Sequence, residues 1–198
     1  MPARPRSYAA VVKAAERALR AARVDHVFVG GIAVMAFGEP RTTLDVDVIA
    51  SYRRADVPRV VAEFRRQGFR PSAADLRDSL SDGAHSTIPD ALSQYHVDLS
   101  PAVRVAAMHA IADRLTVRWR GMSLPLAGPE HTIVMKLVYG SEQDVEDATR
   151  LYQRNRTRLD LGRMREFARE RRVADALRGL ERKASALGRT RKELKRPP

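Results

Sequence analysis

Segments of helical and of strand-like hydrophobic periodicity alternate along the first two thirds of the chain. The helical segments have apolar residues every three to four positions, with Arg and Lys between them. We predict such helices over 8–22 and 55–67, and a short buried helix over the uniformly apolar residues 32–37. The strand-like segments are short, rich in β-branched residues and bounded by Gly, Pro or Asp. We predict strands over 24–29, 44–50 and 95–99, and a hairpin over 115–119 and 122–126.

The last third of the chain has only the helical period. Gly128-Pro129 begins a predicted helix that runs to about Tyr139, and further helices are predicted over 142–153, 161–170 and 173–187. The polar, Asp- and Ser-rich segment 71–89 is predicted as a partly mobile loop. This order of elements predicts an α+β protein with a core domain over 1–127 and a helical part over 128–198. The helical part ends in a basic tail containing Arg189, Arg191, Lys192, Lys195 and Arg196.

The composition excludes several classes of protein. None of the 198 residues is Cys, which excludes a disulfide framework and a thiolate metal site. No apolar run approaches the roughly 20 residues of a membrane helix, and the N-terminal segment lacks a signal-peptide pattern, so we expect a cytoplasmic protein without membrane association. Lys and Arg total 36 against 24 Asp and Glu. The net charge of +12 favours polyanionic partners such as nucleic acid or an acidic protein, although genomic base composition explains the arginine surplus equally well.

Two carboxylates lie two residues apart on the second predicted strand. Side chains at i and i+2 of a strand leave the same face, so Asp45 and Asp47 point one way while Leu44, Val46 and Val48 point the other. Like charges this close repel each other unless a cation lies between them, and Mg²⁺ held by carboxylate and phosphate oxygens is the usual solution. Alternating Asp residues also occur on ordinary half-exposed strands, so the pair alone does not identify a metal site.

A third carboxylate, Asp98, lies in the predicted strand 95–99. From a neighbouring strand it would face the same side as Asp45 and Asp47. Three carboxylates suit two Mg²⁺ ions and an in-line attack on phosphorus. In that arrangement Asp45 and Asp47 bridge both ions, while Asp98 binds the ion that activates the incoming hydroxyl and is also the natural general base.

A pair of glycines makes the pattern more specific. Gly30-Gly31 ends the first predicted strand and leads into a helix, where exposed backbone N–H groups can cradle a triphosphate. Gly-Gly followed after thirteen residues by Asp-x-Asp resembles the signature of the nucleotidyltransferase superfamily, the DNA polymerase β-like enzymes. The run 30–47 is similar to the small bacterial branch of that superfamily. Segment 126–151 looks like the helical half of the AbiEii-type and MenT-like nucleotidyltransferase toxins of toxin–antitoxin pairs.

The resemblance carries expectations about fold, activity and partners. It implies the polymerase β-like fold, in which helices flank a mixed sheet, followed by a C-terminal helical segment. It implies Mg²⁺-dependent transfer of nucleotides from an NTP to RNA, in such toxins often to the 3′ end of tRNA, which blocks translation. A cognate antitoxin is the implied protein partner.

Further candidate residues lie outside the carboxylate motif. Lys136 is part of an apolar helix, where a cation must extend to solvent or meet an anion, and we predict that it neutralises the triphosphate. The resemblance points to the same residue. Asp144 and Asp147 share one helical face and either orient Lys136 or a substrate base, or are simply solvated. Arg41 can reach the phosphates from its loop, and Thr42 either contacts substrate or only shapes that loop.

Two alternatives to an RNA-modifying toxin stay open. The same chemistry can serve a small hydroxylated molecule, as in antibiotic-modifying relatives, or a protein side chain. A module that binds nucleic acid or an acidic partner without catalysis would share the fold, but the three intact carboxylates argue against it. The five histidines, at positions 26, 85, 96, 109 and 131, lack the spacing of zinc ligands, so the sequence alone assigns none of them to a metal.

Overall fold

The computed structural model describes residues 5–38 and 40–193, with the backbone alone over 185–193. Within these ranges the chain forms nine α-helices and six β-strands. The strands are β1 Asp25–Phe28, β2 Asp45–Ser51, β3 Ser86–Pro89, β4 His96–Pro101, β5 Leu115–Trp119 and β6 Met122–Leu126. The helices are α1 Tyr8–Ala21, α2 Gly30–Ala36, α3 Val57–Arg66, α4 Ala73–Asp82, α5 Val105–Ala112, α6 Pro129–Tyr139, α7 Glu142–Asn155, α8 Leu161–Glu170 and α9 Ala174–Glu193. The predicted α+β class is confirmed.

The chain divides into two compact units. The first, here the sheet unit, comprises the residues up to Ala33 and Arg41–Ala127. The second, here the helical unit, comprises Val34–Pro40 and the chain from Gly128 onwards. The six-stranded sheet lies entirely within the first unit, and helices α6 to α9 lie within the second.

The sheet is mixed, with the strand order β3-β4-β2-β1-β6-β5. Strand β2 pairs antiparallel with β1 and parallel with β4, so it lies in the interior of the sheet. Its alternating sequence has the expected consequence: Val46, Val48 and Ala50 are buried on one face, while Asp45 and Asp47 leave the other face half-buried. The burial of the three apolar residues holds the two carboxylates in place.

Helix α1 and helix α3 pack against each other in the sheet unit. The Ser7 hydroxyl caps α1 by accepting a hydrogen bond from the Ala10 N–H group. Leu19 of α1 and Phe64 of α3 are fully buried, as is Phe28 of β1. Burial of such side chains contributes roughly 1.5–3 kcal/mol each to folding. This core therefore stabilises the sheet whose strands carry the site.

The helical unit has its own apolar core and well-defined helix ends. Helix α6 has Pro129 in its first turn and ends at Gly140, which adopts the left-handed conformation with φ of 71°. Ser141 caps α7 by accepting from the Asp144 N–H group. All four helices contribute to the core, with Ile133 and Val134 from α6, Leu151 from α7, Met164 from α8 and Leu177 and Leu180 from α9.

The prediction of a loop over 71–89 is wrong, because this segment forms α4 and β3. Ser72 caps α4 by accepting from the Asp75 N–H group, and Gly83 ends it in the left-handed conformation. Leu76 is fully buried although the helix is mostly polar. Strand β3 is a short edge strand that pairs with β4, so a tertiary partner supplies the order that its polar composition does not indicate.

Helix α5 was not predicted, since its sequence VAAMHAIA is apolar almost throughout and has no clear period. Ala110 and Ile111 pack against Val27 and Ala127, which fixes the helix on the sheet unit. None of the described helices is both long and apolar enough to cross a membrane. The predicted basic tail lies outside the residues whose side chains the structure describes.

Candidate active site

Three predicted carboxylates meet on adjacent strands. The Cα atoms of Asp47 and Asp98 are register partners across the parallel pair β2–β4, and Asp45 lies two residues before Asp47 on the same face. One carboxylate oxygen from each of Asp45, Asp47 and Asp98 lies within 4.8 Å of the others. All three residues are half-buried, so the cluster is accessible to a ligand. Three converging carboxylates form the donor set that a hard divalent cation such as Mg²⁺ requires.

Asp45 is held in its charged form by two hydrogen bonds from its own loop. The Thr43 hydroxyl donates to its Oδ1 at 2.6 Å, and the Leu44 N–H group donates to the same oxygen at 3.1 Å. Burial raises the pKa of Asp45, but these hydrogen bonds and the nearby His96 outweigh it, so the pKa lies below its ordinary value. A lowered pKa means that this contribution to stability is present above the ordinary pKa and is lost as pH falls through the folded-state value.

Asp98 has polar neighbours on both carboxylate oxygens. The Thr87 hydroxyl, from the adjacent strand β3, donates to Oδ1 at 2.7 Å. His85 Nε2 lies 3.9 Å from Oδ1, and His96 Nε2 lies 3.7 Å from Oδ2. Thr87 therefore fixes one oxygen, while the other faces the imidazole of His96 beyond hydrogen-bond distance.

Position 30 has to be a glycine because Asp47 lies too close to leave room for a side chain. The φ of Gly30, 61°, lies in the left-handed region that side chains disfavour, and a Cβ atom there would lie 2.0 Å from Asp47 Oδ2. The Val29 N–H group donates to the carbonyl of Asp47 at 3.0 Å, which joins the end of β1 to β2 at this point. Gly31 is less constrained, since its Cβ would meet Thr43 at 3.3 Å. Of the two predicted glycines, the first is the one that allows Asp47 its position.

Tyr8 is a part of this site that the sequence did not indicate. Its hydroxyl donates to the backbone carbonyl of Asp45 at 3.1 Å, and its ring meets the Tyr95 ring edge-on at 5.6 Å between centroids. Burial, the charge of Asp47 and the charge of Asp45 raise the pKa of Tyr8 well above its ordinary value, although Arg41 acts in the opposite direction. Tyr8 therefore stays protonated and holds the first residue of β2.

The sequence also did not indicate the two threonines that donate to the carboxylates. Thr43 lies in the loop before β2, and Thr87 lies in the segment predicted as a loop. A Thr two residues before an Asp is a weak signal for such a hydrogen bond, whereas nothing local indicates the contact between Thr87 and Asp98. Of the predicted loop residues, Arg41 is half-buried and its charge acts on Tyr8, while Thr42 is exposed.

A second group of predicted residues meets within the helical unit. Lys136 is buried, and its Nζ lies 2.6 Å from Asp144 Oδ1 and 3.2 Å from Asp147 Oδ2. The Ser141 hydroxyl donates to the second oxygen of Asp144 at 2.6 Å. Although burial raises the pKa of Asp144, the hydrogen bonds from Lys136 and Ser141 lower it below its ordinary value. The cation therefore has two carboxylate partners in this unit, and its predicted contact with a triphosphate stays a prediction.

We expect Lys136→Met to destabilise the protein by about 3 kcal/mol, because two neighbouring carboxylates then lose the cation that compensates them. Denaturant unfolding measures this loss. As the control, a triple variant that adds Asp144→Asn and Asp147→Asn is expected to recover most of the stability. A Lys136→Met protein as stable as the wild type would contradict a structural role for the ion pairs. Nucleotide affinity of the same variants tests the predicted triphosphate contact separately.

The donor set of the sheet unit fits Mg²⁺. Asp45, Asp47 and Asp98 offer oxygen atoms only, at separations that one or two ions can bridge, and carboxylate and phosphate oxygens are the usual magnesium ligands in proteins. The absence of a side chain at Gly30 leaves room for the Asp47 carboxylate itself. These three carboxylates are the residues that would hold the ions.

Comparisons with solved structures point to one class of fold. The sequence matches no protein-family model, and no curated protein matches it significantly. An antigenic nucleotidyltransferase-like protein from Paracoccidioides brasiliensis is 18% identical, with a TM-score of 0.53 over 74% of this chain and 77% of that chain. The lincosamide antibiotic adenylyltransferase LnuA, in its lincomycin-bound form, is 11% identical, with a TM-score of 0.53 over 74% of this chain and 97% of that chain.

A third similar structure is ANT(2'')-Ia in complex with adenylyl-2''-tobramycin. It is 15% identical, with a TM-score of 0.55 over 82% of this chain and 95% of that chain. At such low identities the likeness concerns the fold, and the nearer resemblance to AbiEii-type and MenT-like toxins stays a prediction. The mixed sheet with its converging carboxylates and the three similar structures agree, and the chain has the nucleotidyltransferase fold.

Proposed function

We propose that this protein is a Mg²⁺-dependent nucleotidyltransferase that moves a nucleotide from an NTP to a hydroxyl group of RNA. The reaction class is supported best by the convergence of Asp45, Asp47 and Asp98 within 4.8 Å. These carboxylates lie beside Gly30, where the Cβ atom of any other residue would clash with Asp47. A purely structural strand has no need of three adjacent carboxylates, because their mutual repulsion costs stability.

The proposed reaction is an in-line displacement at the α-phosphorus of the NTP. The acceptor oxygen forms the new P–O bond, the bond to the β-phosphate bridging oxygen breaks, and pyrophosphate leaves. Bound Mg²⁺ would neutralise the phosphate charge that develops during this step. Asp45, Asp47 and Asp98 would hold the cations, and the Thr43 hydroxyl helps to keep Asp45 ionised. Asp98, beside the ion that would activate the acceptor hydroxyl, is the natural acceptor of the hydroxyl proton.

The positive charge of the protein favours RNA as the acceptor. A net charge of +12 attracts polyanions and repels polycations over distances of about a Debye length. Helix α8 and the turn after it present several exposed arginines, Arg163, Arg165, Arg169 and Arg172. Arg171, in the same segment, is different because it stacks on the Phe167 ring at 5.1 Å and is half-buried. An acceptor with several phosphates can contact such a surface, and the 3′ end of tRNA is the acceptor that we propose.

RNA affinity is expected to fall steeply with salt, by roughly 0.7–0.9 log units per log unit of salt for each phosphate contacted. Reversing two exposed charges with Arg169→Glu and Arg172→Glu should reduce the slope by about one per arginine. Arg171 is left unchanged, since its replacement would alter packing. Fluorescence titrations of tRNA at four or more salt concentrations measure the slope.

The matched control carries the same charge change on the sheet unit, with Arg54→Glu and Arg65→Glu, both exposed in the wild type. This control should keep the wild-type slope apart from a small general effect of net charge. A flat salt response of the wild type, or equal losses in the two variants, would remove RNA binding by this segment from the proposal.

A small hydroxylated molecule is the second candidate acceptor. It is favoured by two of the similar structures, one an antibiotic adenylyltransferase with lincomycin and the other carrying adenylylated tobramycin. Incubation with each labelled NTP, Mg²⁺ and either total RNA or a panel of hydroxylated antibiotics distinguishes the candidates by which product carries label. The toxin role and the antitoxin partner form part of the proposal only if RNA is labelled.

A further inference from the structure

We propose, on the basis of the cation site in the proposed function, that His96 supplies a nitrogen ligand to the ion held by Asp98. The site is then a mixed oxygen and nitrogen site, and it binds Mn²⁺ more tightly than Mg²⁺. Carboxylate oxygens alone suit Mg²⁺ and Mn²⁺ alike, so the part of the Mn²⁺ preference that depends on His96 is what identifies a nitrogen ligand.

The strand register places His96 next to the carboxylates. His96 and Asp98 are two residues apart on β4, so their side chains leave the same face as each other. Across the parallel pair β2–β4, the register partner of His96 is Asp45, while the partner of Asp98 is Asp47. These four residues thus form two neighbouring pairs on one face of the two strands. Together they offer three carboxylates and one imidazole.

The distance between the donor atoms suits a shared ion. His96 Nε2 lies 3.7 Å from Asp98 Oδ2. Two ligand atoms that each lie about 2.1 Å from one ion are about 3.0 to 3.4 Å apart, so a small side-chain rotation brings both into range. The side chain of His96 is 30% exposed and can move without disturbing the core. At 3.7 Å the two groups do not form a hydrogen bond that would occupy the nitrogen.

The second histidine near Asp98 is the poorer candidate. His85 Nε2 lies 3.9 Å from Oδ1, the oxygen that already accepts the Thr87 hydroxyl. Its side chain is 57% exposed, and it precedes β3 instead of lying on a strand of the cluster. His85 therefore provides a matched control: the same residue type, at a similar distance from the same carboxylate, without the register contact to Asp45.

The chemistry of the donors gives the expected selectivity. Mg²⁺ takes oxygen ligands with near-ideal octahedral geometry and parts with its water reluctantly, so an added imidazole strengthens its binding little. First-row transition ions accept imidazole nitrogen, with affinities that rise from Mn²⁺ through Co²⁺ and Ni²⁺. Mn²⁺ is the probe of choice, because it also reports directly bound nitrogen by electron paramagnetic resonance.

The experiment uses the full chain with Mn²⁺ alone and measures ¹⁴N coupling by pulsed electron paramagnetic resonance, with affinities from calorimetry and Mg²⁺ competition. We expect coupling to a directly bound nitrogen in the wild type and in His85→Phe, and none in His96→Phe. Mn²⁺ affinity should fall at least about tenfold in His96→Phe, with a smaller change for Mg²⁺. Circular dichroism and the melting temperature check that both variants fold.

The remaining outcomes overturn the proposal in distinguishable ways. Mn²⁺ bound without ¹⁴N coupling, or coupling that persists in His96→Phe, removes His96 from the ligand set and leaves the carboxylate site intact. Coupling lost in His85→Phe assigns the nitrogen to the other histidine. Wild-type protein that binds neither Mn²⁺ nor Mg²⁺ with or without NTP overturns the cation site of the proposed function together with the His96 ligand.

Discussion

Asp45→Asn or Asp47→Asn is expected to reduce nucleotidyl transfer on the order of 10³-fold while the protein stays folded, since the loss of a preorganised charge in a site has effects of this size. Asn keeps the shape of Asp but removes the negative charge that holds a cation. The amide oxygen at position 45 can still accept the Thr43 hydroxyl that Asp45 accepts at 2.6 Å. At position 47, removal of one of three crowded charges should leave the melting temperature unchanged or higher.

The measurement combines single-turnover transfer from a labelled NTP with thermal unfolding in the absence of metal. Asp78→Asn provides the control, because Asp78 is an exposed carboxylate of helix α4 and lies outside the cluster. It should keep both activity and stability. Near-normal transfer by either site variant at saturating Mg²⁺ would show that the carboxylates do not hold the catalytic ions.

Gly30→Ala is expected to lower both activity and stability. The left-handed conformation costs a residue with a side chain about 1–3 kcal/mol. In addition, the new Cβ would lie 2.0 Å from Asp47 Oδ2, so the carboxylate must move. A displacement of about 1 Å at a reacting centre can cost on the order of 10²-fold in rate. Transfer should therefore fall by that order, with weaker divalent cation binding measured by calorimetry.

Substitutions at two other glycines distinguish the effect of backbone strain from the effect of displacing Asp47. Gly121, in the turn between β5 and β6, also has a positive φ of 79°, but a Cβ there would meet nothing within 4 Å. Gly121→Ala should lose stability and keep activity. Gly31→Ala, with a contact of 3.3 Å to Thr43 and no left-handed strain, should change both only slightly. If Gly30→Ala kept full activity, or Gly121→Ala lost as much, the contact with Asp47 would not explain the glycine.

Local periodicity predicted strands β2 and β4, which carry the three carboxylates, correctly. The alternation of Val and Asp in β2 indicates which side chains share a face, because successive residues of a strand point to opposite faces whatever the rest of the fold does. The observed burial of Val46 and Val48, with Asp45 and Asp47 on the other face, confirms this prediction within the strand, whereas Leu44 lies before β2 and is 45% exposed. The prediction that Asp98 faces the same side as Asp45 and Asp47 also agrees with the structure, although its pairing with Asp47 was not predictable from the sequence.

Elements without a clear period were not predictable in this way. Helix α4 is mostly polar and helix α5 almost uniformly apolar, so neither has the contrast between faces that identifies an amphipathic helix. Strand β3 is stabilised by its pairing with β4, which lies several residues further along the chain. Tertiary contacts outweighed local composition in all three segments.

The sequence by itself determined the parts of this protein that depend on local geometry. The spacing of Asp45 and Asp47 places them on one face, and the Gly pair marks a turn that a side chain would hinder. Only the tertiary structure decided which distant groups complete the site. Tyr8 reaches the Asp45 carbonyl across 37 positions, and Thr87 reaches Asp98 across 11. Such contacts depend on strand order and register, which follow from burial of the whole core and have no local signal in the chain.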